Sequence, residues 1–364
     1  MRRFVRGVAV AFLLALGAAP APGKAASSLF VYVHDRGSTD RVFGFSLDTA
    51  AGSLDPLPGS PFAGPADGGG DCGGYCNTLA FSKKRKMLFS GHREGVTAWR
   101  VGEDGALTLV EGSPFGTETN WGVAVVEKGK RVFVYSGLEQ SDMMAGYEVQ
   151  ADGTLVAIPG ASVAAGDGPL GVRAFKNRVV VRNESDATVS SYVAGADGSL
   201  TETPGSPFST APVFGWSVDL DPRGRFAFVS DESSAAVHVL AVDGRSAALS
   251  EAAGSPVTAP FTDCGGGTAV SKKLAVVGGY DGATVQVYSL GKDGSLAPLG
   301  EPQALGPNVG LRGHAFDAGG RNLVVAFDSS VRVYAVDPDT GELDEYDNAT
   351  IPGQSVNDLV IVKP

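Results

Sequence analysis

The chain of 364 residues is poor in the residue types that usually announce chemistry: three cysteines, four histidines and four methionines, with 19% of residues charged. Three cysteines without paired spacing do not make a zinc framework. Gly-x-Ser-x-Gly, His-Glu-x-x-His and Gly-x-x-x-x-Gly-Lys are all missing, which removes the nucleophile elbow, the zinc-protease helix and the phosphate-binding loop. The segment "DPDTGE" (337–342) resembles a calcium loop, but its glycine comes one place early and no acid stands at the twelfth position. No metal and no cofactor are expected. Helical periodicity of useful length is absent, and beyond the N-terminus no apolar run is long enough to cross a bilayer. Basic residues are in the minority, 29 against 40 acids, which argues against a nucleic-acid partner.

The apolar run that does occur lies at the start. Arg2, Arg3 and Arg6 precede "VAVAFLLALGAA", followed by small residues and prolines. This pattern predicts a secretory signal over residues 1–25, cleaved near Ala25, and a protein that is secreted or periplasmic. Loss of that leader removes four cations and no acid.

Glycine is abundant, with 51 residues, and its placement is periodic. An Asp/Gly turn ending in leucine recurs as "TAAGSL", "EDGAL", "ADGTL", "ADGSL", "DGRSAAL", "KDGSL" and "DTGEL". The closing leucines Leu54, Leu107, Leu155, Leu200, Leu249, Leu296 and Leu343 are spaced by 53, 48, 45, 49, 47 and 47 residues. Inside each unit, paired β-branched and aromatic runs such as "RFAFVSD" and "AAVHVLAV" read as strands, and a Gly-rich run such as "WGVAVV" precedes them. Four antiparallel strands per unit, seven times over, predict an all-β, seven-bladed propeller spanning residues 26–364. After the leader the chain begins directly with "SSLFVYVHD", which matches a second strand, while "SVNDLVIVKP" at the far end matches an innermost one. The C-terminal strand is therefore expected to complete blade one and close the ring. The recurring "GSPF" at 59–62, 112–115 and 205–208, with "GSPV" at 254–257, follows the outermost strand. It is read as architectural, its apolar residue packing between blades.

The segments "VDLDPRGRFAFVSDESSAAVHVLAVD" (218–243) and "LRGHAFDAGGRNLVVAF" (311–327) resemble the repeat of the β-propeller lactonase family, best known for 6-phosphogluconolactonase. The resemblance implies a Gly-Pro-Arg-His element before an inner strand and an Asn-Glu pair after the next, lining the channel mouth. Here Gly168-Pro169 are followed by Leu170-Gly171 in place of Arg-His, while Asn183-Glu184 keep the second element. Arg312 and His314 flank Gly313 in blade seven, and Asp231-Glu232 echo the acid position in blade five.

Candidate site residues are those expected on loops around the mouth: His34, Asn77, His92, Arg93, Glu232 and Asp281 for ligand contact, with Glu184, Arg312 and His314 as candidate catalytic groups. Lactone hydrolysis needs a base for water and a cation for the developing oxyanion. Glu184 or His92 fits the first role, and Arg312 or Arg93 the second. Loss of the Arg-His pair favours a binding scaffold for a small molecule or protein partner over an active hydrolase. Cys72 and Cys76, in "DCGGYC", are expected to form a local disulfide and to leave Cys264 unpaired. The mature protein is expected to be a monomer.

Overall fold

The computed structural model describes residues 29–35, 41–65, 77–116, 118, 120–210, 214–280, 282–306, 310–351 and 356–363. They form seven antiparallel sheets arranged as blades. The inner strands are Val356–Val362 in blade one, Leu79–Ser82 in two, Val123–Lys128 in three and Pro169–Phe175 in four. Blades five to seven begin with Val218–Leu220, Gly267–Val270 and Leu311–Phe316. Each blade then steps outward through its second, third and fourth strands, as the sequence period requires.

The ring closes as expected. Val356–Val362 pairs antiparallel with Leu29–Asp35, from Phe30 opposite Val362 to His34 opposite Asp358. Seven apolar clusters fill the seven seams between blades. The seam joining the chain ends packs Val324, Ala326, Val331 and Val333 of blade seven against Val31, Val33, Phe43, Phe45 and Leu359 of blade one. No single central core exists, because the middle of the ring is a channel.

The Asp-Gly turns serve the seams. Gly105 and Gly198 have φ near +83° and +88°, which glycine adopts without steric cost. Their carbonyl oxygens accept hydrogen bonds from the hydroxyls of Tyr32 (2.7 Å) and Tyr135 (2.8 Å) in the preceding blades.

GSPF does more than cross to the next blade. In blades one, four and five the residue after proline starts a two-residue fifth strand, Phe62–Ala63, Phe208–Ser209 or Val257–Thr258, that returns to the third strand of its own blade. The serine hydroxyl accepts a hydrogen bond from a third-strand amide at all four copies: Gly44 to Ser60, Ala98 to Ser113, Ser191 to Ser206 and Val239 to Ser255. An amide beyond the end of the short fourth strand is thereby satisfied. Phe62 is buried in the seam between blades one and two, so the packing role holds as well.

Candidate functional site

An inner strand begins at one end of the ring, where the turn between second and third strands also emerges; this end is the mouth. In three blades a side chain just before or at the start of the inner strand grips a side chain on that turn. The Trp121 indole donates to Glu139 Oε2 at 2.6 Å, and the Trp216 indole donates to Glu232 Oε2 at 2.9 Å. Arg312 Nε donates to Asp328 Oδ1 at 2.7 Å, and its Nη2 to the Tyr280 hydroxyl at 2.7 Å. The guanidinium also lies 4.3 Å from the Tyr280 ring centroid.

Blade four departs from this pattern. Leu170 takes the place of the indole and packs with Trp121 and Trp216 into a small apolar patch. Glu184, half-buried on the neighbouring turn, has no indole donor. Burial, reinforced by the Glu139 carboxylate, pushes its carboxyl above the usual range, with Arg182 pulling the other way. Glu232 adds to the same effect. Arg182 itself is buried and donates to the carbonyls of Asn183 (2.5 Å) and Thr188 (2.9 Å). The mouth therefore gathers Glu139, Glu184 and Glu232 around Trp121, Leu170 and Trp216.

The structure explains why residue 171 is glycine here. A Cβ at Gly171 would stand 2.8 Å from Asn77 Oδ1, 2.8 Å from Ser217 Cα and 2.8 Å from the Trp216 carbonyl. Asn77 occupies that space because its Oδ1 accepts from Val218 N at 3.0 Å, in blade five, while its own carbonyl accepts from Val123 N at 3.0 Å. The side chain thus bridges the channel just beneath the mouth. A histidine at 171 and this bridge are mutually exclusive.

The remaining sequence candidates divide by burial. His34 lies within the second strand of blade one, its Nδ1 2.9 Å from Thr78 Oγ1. His92 ends the second strand of blade two, with Nε2 2.6 Å from Thr97 Oγ1. Both are buried, as are Asn77 and His314, so these four are not the solvated loop residues that the sequence suggested. Arg93 is exposed on its turn. Asp281, Cys72 and Cys76 lie outside the described residues, while Cys264 carries an unpaired, buried thiol that burial pushes upward in pKa. No hydrogen bond or ion pair found among the described residues joins Glu184 to Arg312 or His314. Nor does any group of three or more His, Cys, Asp or Glu side chains among them have a metal-holding arrangement.

Sequence reasoning missed the interior of the channel. All seven inner strands line a cavity of about 320 Å³ below Asn77. Arg173 of blade four points a guanidinium between two carboxylates: Nε is 3.3 Å from Asp219 Oδ1 and Nη2 is 3.8 Å from Asp358 Oδ1. Thr268 donates to Asp219 Oδ2 at 3.0 Å, and Leu79 N donates to Asp358 Oδ2 at 2.8 Å. Burial raises both carboxyls against the pull of Arg173, Asp358 to about 6. His314 lines the same cavity, with Nε2 3.2 Å from the Val276 carbonyl. Nε2 therefore carries the proton, and buried Nδ1 finds no hydrogen-bond partner among the described residues. Burial holds this imidazole down at about 4, so it is neutral at pH 7. One signal was legible in the sequence: a lone arginine in the apolar run "PLGVRAF" and a lone aspartate in "VDL" are charges where an inner strand alternates toward the channel.

No protein-family model matches the chain, and no curated protein matches it significantly. Solved structures do. A Bacteroides fragilis protein solved as a candidate 6-phosphogluconolactonase aligns over 94% of this chain and 100% of its own, with TM-score 0.74 and 17% identity. The periplasmic gluconolactonase of Pseudomonas aeruginosa aligns over 93% and 100%, with TM-score 0.72 and 20% identity. A second candidate 6-phosphogluconolactonase, from Bacteroides uniformis, gives 92% and 100%, TM-score 0.67 and 18% identity. By fold, the chain is a seven-bladed β-propeller with the architecture of these lactonase-type proteins.

Proposed function

We propose that the protein is an exported lactonase-type propeller whose mouth binds a small molecule without hydrolysing it. One observation carries this reading: around Glu184 the mouth offers carboxylates and an apolar aromatic patch, and the candidate Arg312 is committed elsewhere. Arg312 is held by Asp328 and Tyr280, and the Arg-His pair that the resemblance implies is replaced by Leu170-Gly171 beneath which Asn77 is wedged. An oxyanion forming near Glu184 would meet carboxylates in place of donors, which raises the barrier. A ligand presenting hydrogen-bond donors to Glu139, Glu184 and Glu232 and an apolar face to Trp121 and Trp216 is what these groups suit. The basic, apolar and small-residue sequence of the first 25 residues supports export.

The competing reading, an active lactone hydrolase, draws on Glu184 itself. A half-buried carboxyl whose pKa is raised by burial and by Glu139 is a reasonable water-activating base, and one of the solved neighbours is a gluconolactonase. A panel of unphosphorylated sugar lactones and the corresponding open acids, applied to the mature protein, separates the two. Tryptophan emission should report saturable binding while no acid is released. Glu184→Gln should weaken that binding at least several-fold with little change in the melting curve. Lactone turnover that Glu184→Gln abolishes would establish the hydrolase instead.

A further inference from the structure

The opposite end of the ring has a different chemistry. There the turns joining first to second strands carry exposed cations in six blades: Lys83, Lys84 and Lys86, then Lys130, Lys176, Arg223, the pair Lys272 and Lys273, and Arg321. In an antiparallel blade the third-to-fourth turns emerge on this same end, farther from the axis. Those turns carry exposed acids at Asp104, Asp152, Asp197, Asp243, Asp293 and Asp337. Positive charge thus surrounds the axis and negative charge rims it, on a chain whose overall balance is acidic.

Between blades six and seven this inner ring opens into a cavity of about 540 Å³, in the range that takes a small organic ligand. Lys272, Lys273 and Arg321 line it, over apolar walls that include Phe316 and Pro338. No hydrogen bond or ion pair of these three charged groups is found among the described residues. The one carboxylate in the lining, Asp317, is occupied by its own turn. Its Oδ1 accepts from Arg321 N at 2.9 Å and Asn322 N at 3.1 Å, and its Oδ2 from Asn322 Nδ2 at 3.2 Å. Gly320 shapes the cavity: its φ is +68°, and a Cβ there would sit 3.0 Å from Ser271 Cβ of blade six.

We propose that this groove is a second binding site, specific for a compact, multiply charged organic anion with an apolar body. Three cations converge on one cavity with their local acid already satisfied, so a phosphate or paired carboxylates would supply the missing partners. The apolar walls favour an anion carried on a ring or short chain over a bare inorganic ion. The surrounding ring of lysines raises the local concentration of anions. The outer acid rim repels extended polyanions and planar anionic surfaces, which would have to lie across it; a compact ligand stays inside it.

The probe is phenyl phosphate, titrated calorimetrically into the mature protein at low and at physiological salt. Saturable one-to-one binding is expected, about tenfold or more weaker in Lys272→Ala/Arg321→Ala, with an unchanged melting curve because both side chains are exposed. Inorganic phosphate should bind more weakly than phenyl phosphate. Lys83→Ala/Lys84→Ala, on the far side of the same ring, and Trp216→Ala at the mouth should leave phenyl phosphate affinity within about twofold. If the blade-two pair weakens binding as much as the groove pair, a diffuse field binds the anion and the proposed site does not exist. Absence of saturable binding to phenyl phosphate also overturns the proposal, without bearing on the mouth.

Discussion

The mouth and the far end of this propeller are the two ends of the same inner strands, yet they are finished in opposite ways. At the mouth the side chains are interlocked: indole to carboxylate in blades three and five, guanidinium to carboxylate and phenol in blade seven, and an asparagine wedged across the channel. At the far end the cations of blades six and seven stand around an open groove. The difference teaches where a repeat fold tolerates change. Strands and seams must agree with their neighbours in every blade, whereas a turn answers only to its own ends. Charge can therefore be sorted between the two faces at little cost to the fold.

The largest effect should come from cutting what holds both ends together. Deleting residues 356–364 strips the inner strand from blade one, leaves the Leu29–Asp35 strand as a bare edge and removes Asp358 from the channel. Loss of the cooperative melting transition, or aggregation, is expected by circular dichroism and light scattering. A truncated chain that melts like the intact one would disprove closure by this strand.

A smaller effect should separate the packed mouth from the open face. Gly171→Ala forces a methyl against Asn77 and the Trp216 carbonyl, and should cost about 1–3 kcal/mol in denaturant unfolding. Gly244→Ala, on an outer turn of the far side, meets nothing within 4 Å and should stay within about 0.5 kcal/mol of the parent. Equal costs at the two positions would contradict the packing described for the mouth.

The smallest effect concerns pH and the channel between the two ends. His314, held at about 4 against an ordinary 6.5, is protonated more readily in the unfolded chain. Its contribution to stability rises as pH rises from about 4 to 6.5. Asp358, held at about 6 against an ordinary 3.8, is protonated more readily in the folded chain, so its contribution falls as pH rises from 3.8 to 6. The two slopes oppose each other over nearly the same window. Relative to the parent, His314→Gln should gain melting temperature as pH is lowered from 6.5 to 4, and Asp358→Asn should lose it. Parallel pH profiles for all three proteins would show that neither group is perturbed as described.

The repeat carried most of the fold. The spacing of Leu54 through Leu343 implies seven units, and the unmatched runs at 29–35 and 356–362 imply how the ring closes; both are local patterns that repetition amplifies. The fifth strand after GSPF was not legible, because two residues are too few for alternation and the hydrogen bond that pins Ser60 to Gly44 arises only once the blade exists. At the mouth, Glu184 and Glu232 were recognisable by their place in the repeat, whereas Glu139 and the Trp121 indole that binds it were not paired in advance. His34 and His92 were placed at the right level along the axis but on the wrong side of the surface, whereas His314 lies deeper, within the inner strand that lines the channel cavity. A turn residue and the last residue of a strand look alike in sequence and differ in which way the side chain faces.

What the amino-acid order determined by itself is therefore the number of blades, their strand pattern and the alternation of charge along each strand, all set by neighbours a few residues apart. What only the folded ring decided is which distant groups meet. Asn77 reaches Val218 across 141 positions, Arg173 stands between Asp219 and Asp358, and Lys272 joins Arg321 around one groove. These meetings depend on the angle through which each blade turns the chain about the axis, a property of the closed circle that no single repeat contains.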